Sequence, residues 1–269
     1  MNSFIDQLNR KIELPFLPKR IISLVPSQTK LLHDLGLRDE VVGITNFCIH
    51  PDEWLKTKTH VGGTKKVQFE KIKNLHPDLI IGNKEENDQK QIEGLMKLYP
   101  VWMSDIYTLK DALDMITKIG SLVGKQTEAI NLKLSIEYQF QHLSKSIPKI
   151  QPLKVAYFIW RKPFMVAGNN TFINDMLLRC NFTNVFNSFE FSRYPKINAN
   201  QLVDINPQVI LLSSEPYPFK EKHIAEFQLI CPNAQIKIVD GENFSWYGSH
   251  LLQAPAYFEK LMTELNPIA

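Results

Sequence analysis

Apolar residues along this 269-residue chain fall into short continuous runs separated by segments with helical spacing. The runs Arg20-Ile-Ile-Ser-Leu-Val25, Val41-Val-Gly-Ile44, Asp78-Leu-Ile-Ile81 and Val101-Trp-Met103 read as strands. Between them, Phe69–Leu75 and Lys90–Leu98 repeat apolar residues at the spacing of a helix face. Pro26-Ser27 breaks the first strand, and Ser27 or Thr29 is placed to cap a helix running to Leu35-Gly36. Strands alternating with helices predict a parallel α/β sheet.

The pattern changes from Leu109 to Ile147, a stretch without proline. Apolar residues recur at Leu113, Ile116, Ile119 and Val123, and after Gly124 at Ile130, Leu134, Ile136, Phe140 and Leu143. This spacing predicts one helix and then a second of about 20 residues, spanning ~30 Å and ended by Pro148 and Pro152. The α/β pattern then restarts with a strand at Lys154–Ile159. A helix Phe172–Arg179 follows, capped by Asn170-Thr171, then strands at Val209–Leu212 and Ile236–Val239. A closing helix, His250–Leu265, is expected to bend at Pro255. The expected organisation is an α/β lobe over 1–106, a connecting backbone helix within 107–151, and a second α/β lobe over 152–269.

The two halves repeat each other. Ile72-Lys-Asn-Leu-His-Pro-Asp-Leu-Ile-Ile81 matches Leu202-Val-Asp-Ile-Asn-Pro-Gln-Val-Ile-Leu211, an offset of 130 residues. Both read as a short helix, a proline turn and a buried strand. Carried further, the register sets Glu85 opposite Glu215. So long a period points to duplicated lobes and not to a solenoid.

Composition narrows the function classes. A net charge of +3, from 31 basic and 28 acidic residues with no basic stripe, argues against nucleic acid. No apolar run approaches the ~20 residues of a membrane span. The first twenty residues do not form a secretory signal, so the chain is expected to be cytoplasmic as it stands, and periplasmic if a signal preceded it. Cys48, Cys180 and Cys231 are odd in number and widely spaced, which is no disulfide framework.

In open parallel sheets, ligands bind at the carboxyl ends of the strands. The loops there hold Phe47, Thr64-Lys65, Asn83 and Glu85 in the first half. In the second half they hold Trp160, Phe164, Glu215, Tyr217, Phe219, Phe244, Trp246 and Tyr247. Aromatics concentrated in loops suggest a concave apolar surface with a few polar contacts, and Trp246 with Tyr217 is the expected floor or wall. No enzyme constellation is present: the P-loop spacing, G-x-G-x-x-G, G-x-S-x-G and H-E-x-x-H are all missing, so no catalytic residue or cofactor is expected. Cys48 and His50 lie two apart after a strand. They read either as a buried thiol and a loop imidazole, or as ligands to a transition metal completed by Glu85, Glu86, Glu215 or His250.

Several of these motifs form an ordered series. Arg20-Ile-Ile-Ser-Leu-Val-Pro-Ser-Gln-Thr29, Val61-Gly-Gly-Thr64, Asp78-Leu-Ile-Ile81, Trp160…Pro163-Phe-Met-Val-Ala-Gly168, Thr171-Phe-Ile-Asn-Asp-Met-Leu177 and Asn184-Val-Phe186 resemble the helical-backbone (class III) substrate-binding proteins of ABC importers. The likeness runs over roughly residues 20 to 265. It implies two Rossmann-like lobes with parallel sheets joined by one long helix. It also implies a monomer that binds a small molecule (cobalamin, haem or an iron–siderophore chelate) between the lobes for a permease. By resemblance to the vitamin B12 receptors, ligand contacts fall near Phe47, Thr64, Asn83 and Phe186. The family docks on permease arginines through one acidic residue per lobe: Glu70 matches the first, and the second falls on Asn200, its partner in the repeat. Two alternatives stay open: a direct metal-ion binder or sensor using Cys48 and His50, and a cytoplasmic cofactor-handling protein not coupled to a permease.

Overall fold

A computed structural model of the chain describes residues 2–147, 151–188 and 192–265. They fold into two compact units. The first comprises Met1–Ile106, Lys110–Ile136 and Tyr247–His250, and the second Tyr107–Leu109, Glu137–Trp246 and Leu251–Ala269.

The first unit opens with an antiparallel hairpin, β1 (Asn2–Ile5) and β2 (Lys11–Leu14). Asp6 closes its turn. Buried completely, its carboxylate accepts the amides of Leu8 and Arg10, both at 2.9 Å, and pairs with the Arg10 guanidinium. The other carboxylate oxygen takes the Met103 amide at 3.3 Å and so ties the hairpin to the main sheet. That sheet holds β3 (Ile21–Ser23), β4 (Val41–Ile44), β5 (Thr59–His60), β6 (Leu79–Asn83) and β7 (Val101–Ser104) in the order β5-β4-β3-β6-β7, all parallel. β3, β4, β6 and β7 are almost wholly buried and mainly apolar, with Ser23, Asn83 and Ser104 at the carboxyl ends of β3, β6 and β7, whereas the edge strand β5 is the short Thr59-His60. α1 (Pro26–Asp34), α2 (Asp52–Thr57), α3 (Phe69–Asn74) and α4 (Gln89–Met96) lie between them in sequence. Each fully buried Ile or Leu here, such as Ile22, Ile72 or Ile80, stabilises the unit by ~1.5–3 kcal/mol.

Two helices come next, α5 (Leu109–Leu122) and α6 (Gln126–Ser146). The chain turns between them at Gly124, whose φ of +72° a side chain would strain. Gly120 lets the helices close: a Cβ there would lie 2.2 Å from that of Ala129. The 21 residues of α6 span about 30 Å and pass from the first unit to the second after Ile136. Pro148, expected to stop this helix, lies outside the described residues.

The second unit rebuilds the same sheet from β8 (Leu153–Trp160), β12 (Val209–Ser213) and β13 (Gln235–Val239), all parallel, with β10 (Phe182–Asn184) parallel to β8 on its other side. β9 (Phe164–Val166) folds back antiparallel on β8 and carries β11 (Lys196–Ile197) at the edge. α7 (Phe172–Arg179), α8 (Ala199–Ile205), α9 (Ile224–Ile230), α10 (Glu242–Ser245) and α11 (Ala254–Leu265) complete it. Thr171 caps α7 as expected, its side chain accepting from the Asn174 amide at 3.1 Å.

Two helix boundaries differ from expectation. Pro26 itself opens α1 at the first helical position, where a missing N–H costs nothing, so Ser27 and Thr29 lie inside the helix and do not cap it. Likewise Pro255 sits in the first turn of α11, behind a 3₁₀ turn over Ser249–Leu252, and starts the helix where a bend was expected.

The repeat holds at the level of single dihedrals. At the offset of 130, α3 falls on α8 and β6 on β12. Between them the left-handed residue His76 (φ +45°) falls on Asn206 (φ +49°). Asparagine and histidine are both enriched in this conformation, which still costs a residue with a side chain ~1–2 kcal/mol. His76→Gly is therefore expected to stabilise the protein by about 0.5–1 kcal/mol, the strain relieved less the larger unfolded-state entropy of glycine. A urea midpoint raised at constant m-value measures it. A lowered midpoint would show that the exposed imidazole contributes more than its backbone costs.

Candidate functional site

The carboxyl ends of the first unit's strands are held by side-chain amides. Asn87 is the central one. Its Oδ1 accepts the Asn83 amide at 2.8 Å, and its Nδ2 donates to the Thr64 carbonyl at 3.0 Å and to that of Leu24 at 3.3 Å. One residue thus joins the ends of β6 and β3 to the loop after β5. Gly82 must be glycine for this, since a Cβ there would lie 2.7 Å from Asn87 Oδ1. Asn83 is equally committed. Its Oδ1 caps the next turn through the Glu85 and Glu86 amides at 2.8 and 3.0 Å, and its Nδ2 donates to Ser104 Oγ at 2.9 Å. The same hydroxyl accepts from Gln28 Nε2 at 2.6 Å, while Gln28 Oε1 is buried with no protein partner among the described residues. Lys65 reaches the Glu85 carbonyl. What this rim offers outward is Phe47, 59% exposed and standing over Gly63.

The second unit's rim is aromatic. From the sheet core outward, Phe158 meets Phe227 with ring centroids 4.7 Å apart, and Phe227 meets Phe219 at 6.0 Å. Phe219 meets Tyr217 at 4.8 Å, and Tyr217 meets Trp160 at 5.6 Å. Phe164 packs against Phe158 and Phe227 at the base of the series. Exposure rises along it from 0% at Phe158 to 40% at Trp160. The contacts along the series from Phe158 to Trp160 are edge-to-face, the arrangement that ring quadrupoles favour, so each ring fixes the tilt of the next, while Phe164 lies tilted against Phe227 at 33°.

Two polar residues hold the loop that carries Tyr217. His223 is buried. Its Nδ1 accepts the Lys220 amide at 2.8 Å, which leaves the proton on Nε2, 3.4 Å from the Tyr217 hydroxyl. Burial, with Arg161 and Lys222 nearby, keeps this imidazole below its ordinary pKa, against a smaller opposing effect of Glu226. Glu215 is half-buried. Its Oε1 lies 2.6 Å from Ser245 Oγ and accepts Trp246 Nε1 at 3.0 Å. Burial pushes its carboxyl upward in pKa, and the charges of Glu242 and Asp240 add to this against the two hydrogen bonds.

The expected site residues therefore separate. Phe47, Lys65, Trp160 and Tyr217 present side-chain surface at the strand ends, with Thr64 and Glu85 half-buried beside them. Phe186 does not: it is fully buried among Ala156, Phe158 and Leu202 and belongs to the core. Trp246, expected as an open wall, is 5% exposed and spends its indole N–H on Glu215; Tyr247 is buried as well. Asn83 is a loop cap. The metal reading fails on Cys48, whose thiol is wholly buried, with Sγ 3.0 Å from Thr29 Oγ1 and 3.2 Å from Thr45 Oγ1. Burial raises its pKa and keeps it a neutral thiol. Among the described residues no three His, Cys, Asp or Glu side chains gather as metal ligands, and Glu85, Glu86, His50 and His250 supply no shell. Sequence reasoning missed Asn87, His223 and Ser245. The signal for Asn87 was present, an Asn four residues after the Asn that ends a buried strand.

Glu70 is exposed at the second position of α3, and Asn200 is exposed at the matching position of α8. No helix among the described residues is long and apolar enough to cross a membrane.

Comparison with known proteins places this geometry. A vitamin B12-binding protein of Vibrio cholerae is 26% identical over 200 residues, covering 74% of this chain and 72% of the relative. The periplasmic haem-binding protein RhuT of Roseiflexus sp. RS-1, in its apo form, matches with a TM-score of 0.80 at 18% identity, over 92% of this chain and 98% of that one. The molybdate periplasmic binding protein MolA of Haemophilus influenzae, bound to molybdate, matches with a TM-score of 0.83 at 14% identity, over 99% and 92%. At those identities the two structures share the fold. A family model for periplasmic binding proteins matches residues 21–228, most of the chain, and this chain belongs to that family.

Proposed function

We propose that the chain is the substrate-binding protein of an ABC importer, holding a corrinoid, haem or ferric chelate on its strand-end loops without performing chemistry on it. The observation that carries this reading is the ring series from Phe158 to Trp160. It converts a packed core into an exposed, rigid aromatic shelf suited to the face of a large planar ligand. The names of relatives support the reading, since one binds vitamin B12 and a structural neighbour binds haem. A third protein of this fold is bound to molybdate, so the fold by itself does not fix the ligand. For transfer to a permease, Glu70 is the docking carboxylate, and Asn200 brings a neutral amide to the corresponding position of the second unit.

An absorbance spectrum and native mass of protein purified from its own host are expected to show a corrin or haem band with the matching mass. Titration with cyanocobalamin or haemin then measures affinity. Trp160→Ala and Tyr217→Ala are each expected to weaken binding by ~1–3 kcal/mol, as truncated aromatic anchors do. Unchanged affinity after both would remove the ligand from this shelf.

A pH dependence arises from His223. Its folded-state pKa lies below the unfolded value of 6.5, so the unfolded chain binds the extra proton first as pH falls. The stability due to neutral His223 is thus full above that value and is lost on acidification below it. His223→Asn keeps an acceptor for the Lys220 amide but cannot titrate. Denaturation midpoints of the wild type are expected to fall more steeply below pH 6.5 than those of the variant. Parallel curves would show that the imidazole is not held neutral by the fold.

A further inference from the structure

We propose that Glu215 sets the ligand selectivity of the second unit's rim by accepting a ligand N–H or O–H on its outer carboxylate oxygen. The chain would then take a macrocycle edged with carboxamides and discriminate against one edged with carboxylates. This rests on the reading that the aromatic shelf holds a planar macrocycle.

Three observations carry it. First, the carboxylate is fixed in place. Oε1 takes the Ser245 hydroxyl and the Trp246 indole N–H, and the Glu215 amide donates to Ser213 Oγ at 3.3 Å. Gly241 closes over the side chain so tightly that a Cβ there would lie 2.6 Å from Glu215 Cγ. A side chain clamped at one oxygen offers the other in a set direction, without the ordering cost of a free glutamate. Second, Oε2 has no hydrogen-bond partner among the described residues and is not among the fully buried atoms. No described Lys or Arg forms an ion pair with Glu215. Arg161, on the loop after β8, is committed to Glu226 at 2.8 Å. Third, Glu215 leaves β12 two residues before Tyr217, so the acceptor and the aromatic shelf share one short loop.

The chemistry of the candidate ligands divides on this group. The corrin edge of cobalamin carries neutral carboxamides, whose N–H groups are donors. Haem carries two propionates, which are acceptors only and repel an unpaired carboxylate. Like charges brought together at a partly desolvated contact weaken binding by on the order of 10–100-fold.

The test titrates the full chain with three probes, cyanocobalamin, haemin and the dimethyl ester of the same haem, monitored by quenching of tryptophan fluorescence. Wild type is expected to bind cyanocobalamin at least about tenfold more tightly than haemin, and the dimethyl ester more tightly than haemin. Glu215→Gln keeps an acceptor for Ser245 and Trp246 and removes the charge. It is expected to raise haemin affinity by about tenfold while leaving the dimethyl ester unchanged. Haemin binding to wild type as tightly as cyanocobalamin does, or a haemin affinity indifferent to both the ester and the variant, would overturn the role of Glu215 and leave the macrocycle site standing. If none of the three probes binds wild type, the macrocycle reading itself has failed, and the selectivity falls with it. The ester comparison needs no mutation, so it decides the question even where Glu215→Gln folds poorly.

Discussion

The constraint on which the rest of this structure depends is the satisfaction of backbone groups where parallel strands end. At the end of β6 the ladder stops while Asn83 and Asn87 are still buried, and an unpaired buried amide costs ~1–3 kcal/mol. Asn83 and Asn87 answer this with their own side chains, and Ser104 ties them to Gln28. The consequence is functional. Polar side chains spent on holding the loops are not available to a ligand, so the first rim presents mainly Phe47 and exposed charged groups outward. Asn83 and Trp246 were reasonable ligand contacts by type and position. Their hydrogen bonds show that the loops needed them first.

The duplicated halves solve the same problem with different chemistry. The helix, the left-handed residue and the strand are kept, down to His76 and Asn206. The loop beyond the strand has diverged. Asn83 ends β6 and Asn87 follows four residues on, together stapling neighbouring loops, whereas after β12 comes a run with Pro216, Pro218 and the rings of Tyr217 and Phe219, anchored on Phe227 and His223. Edge-to-face ring contacts order this second loop, running from the buried Phe219 through Tyr217 to the exposed Trp160. A shared frame with divergent loop ends matches the comparisons, in which one fold serves proteins named for vitamin B12, haem and molybdate.

Much of the fold was legible because its signals are local. Continuous apolar runs marked the central parallel strands, helical spacing marked α5 and α6, and the 130-residue repeat aligned β6 with β12. The hairpin over residues 2–14 was not legible, because its decisive feature is Asp6 buried against Arg10 and the Met103 amide, nearly a hundred residues away. No window of sequence contains that partner. The same reason explains Cys48. Beside His50 it looks like half of a metal site, but its surroundings come from Thr29 on another element, which buries the thiol and keeps it neutral. Phe186 shows the opposite error, a position carried over from related receptors although the local packing had turned it into core.

Glu215 shows how far pattern alone reaches. The repeat set it opposite Glu85, and both lie two residues beyond their strands, yet their environments differ. Glu85 sits in a turn capped by Asn83, its carbonyl held by Lys65. Glu215 is pressed against Gly241, with one oxygen clamped and Glu242 and Asp240 close enough to disfavour its charge. Burial and these charges disfavour the ionised carboxyl, and the hydrogen bonds from Ser245 and Trp246 oppose them. Removing it would relieve the desolvation and the repulsion but would strand the Trp246 indole N–H inside the loop. The clamp therefore makes the loop's shape and the acidic group inseparable, and a substitution that retunes the ligand must also supply an acceptor for Trp246.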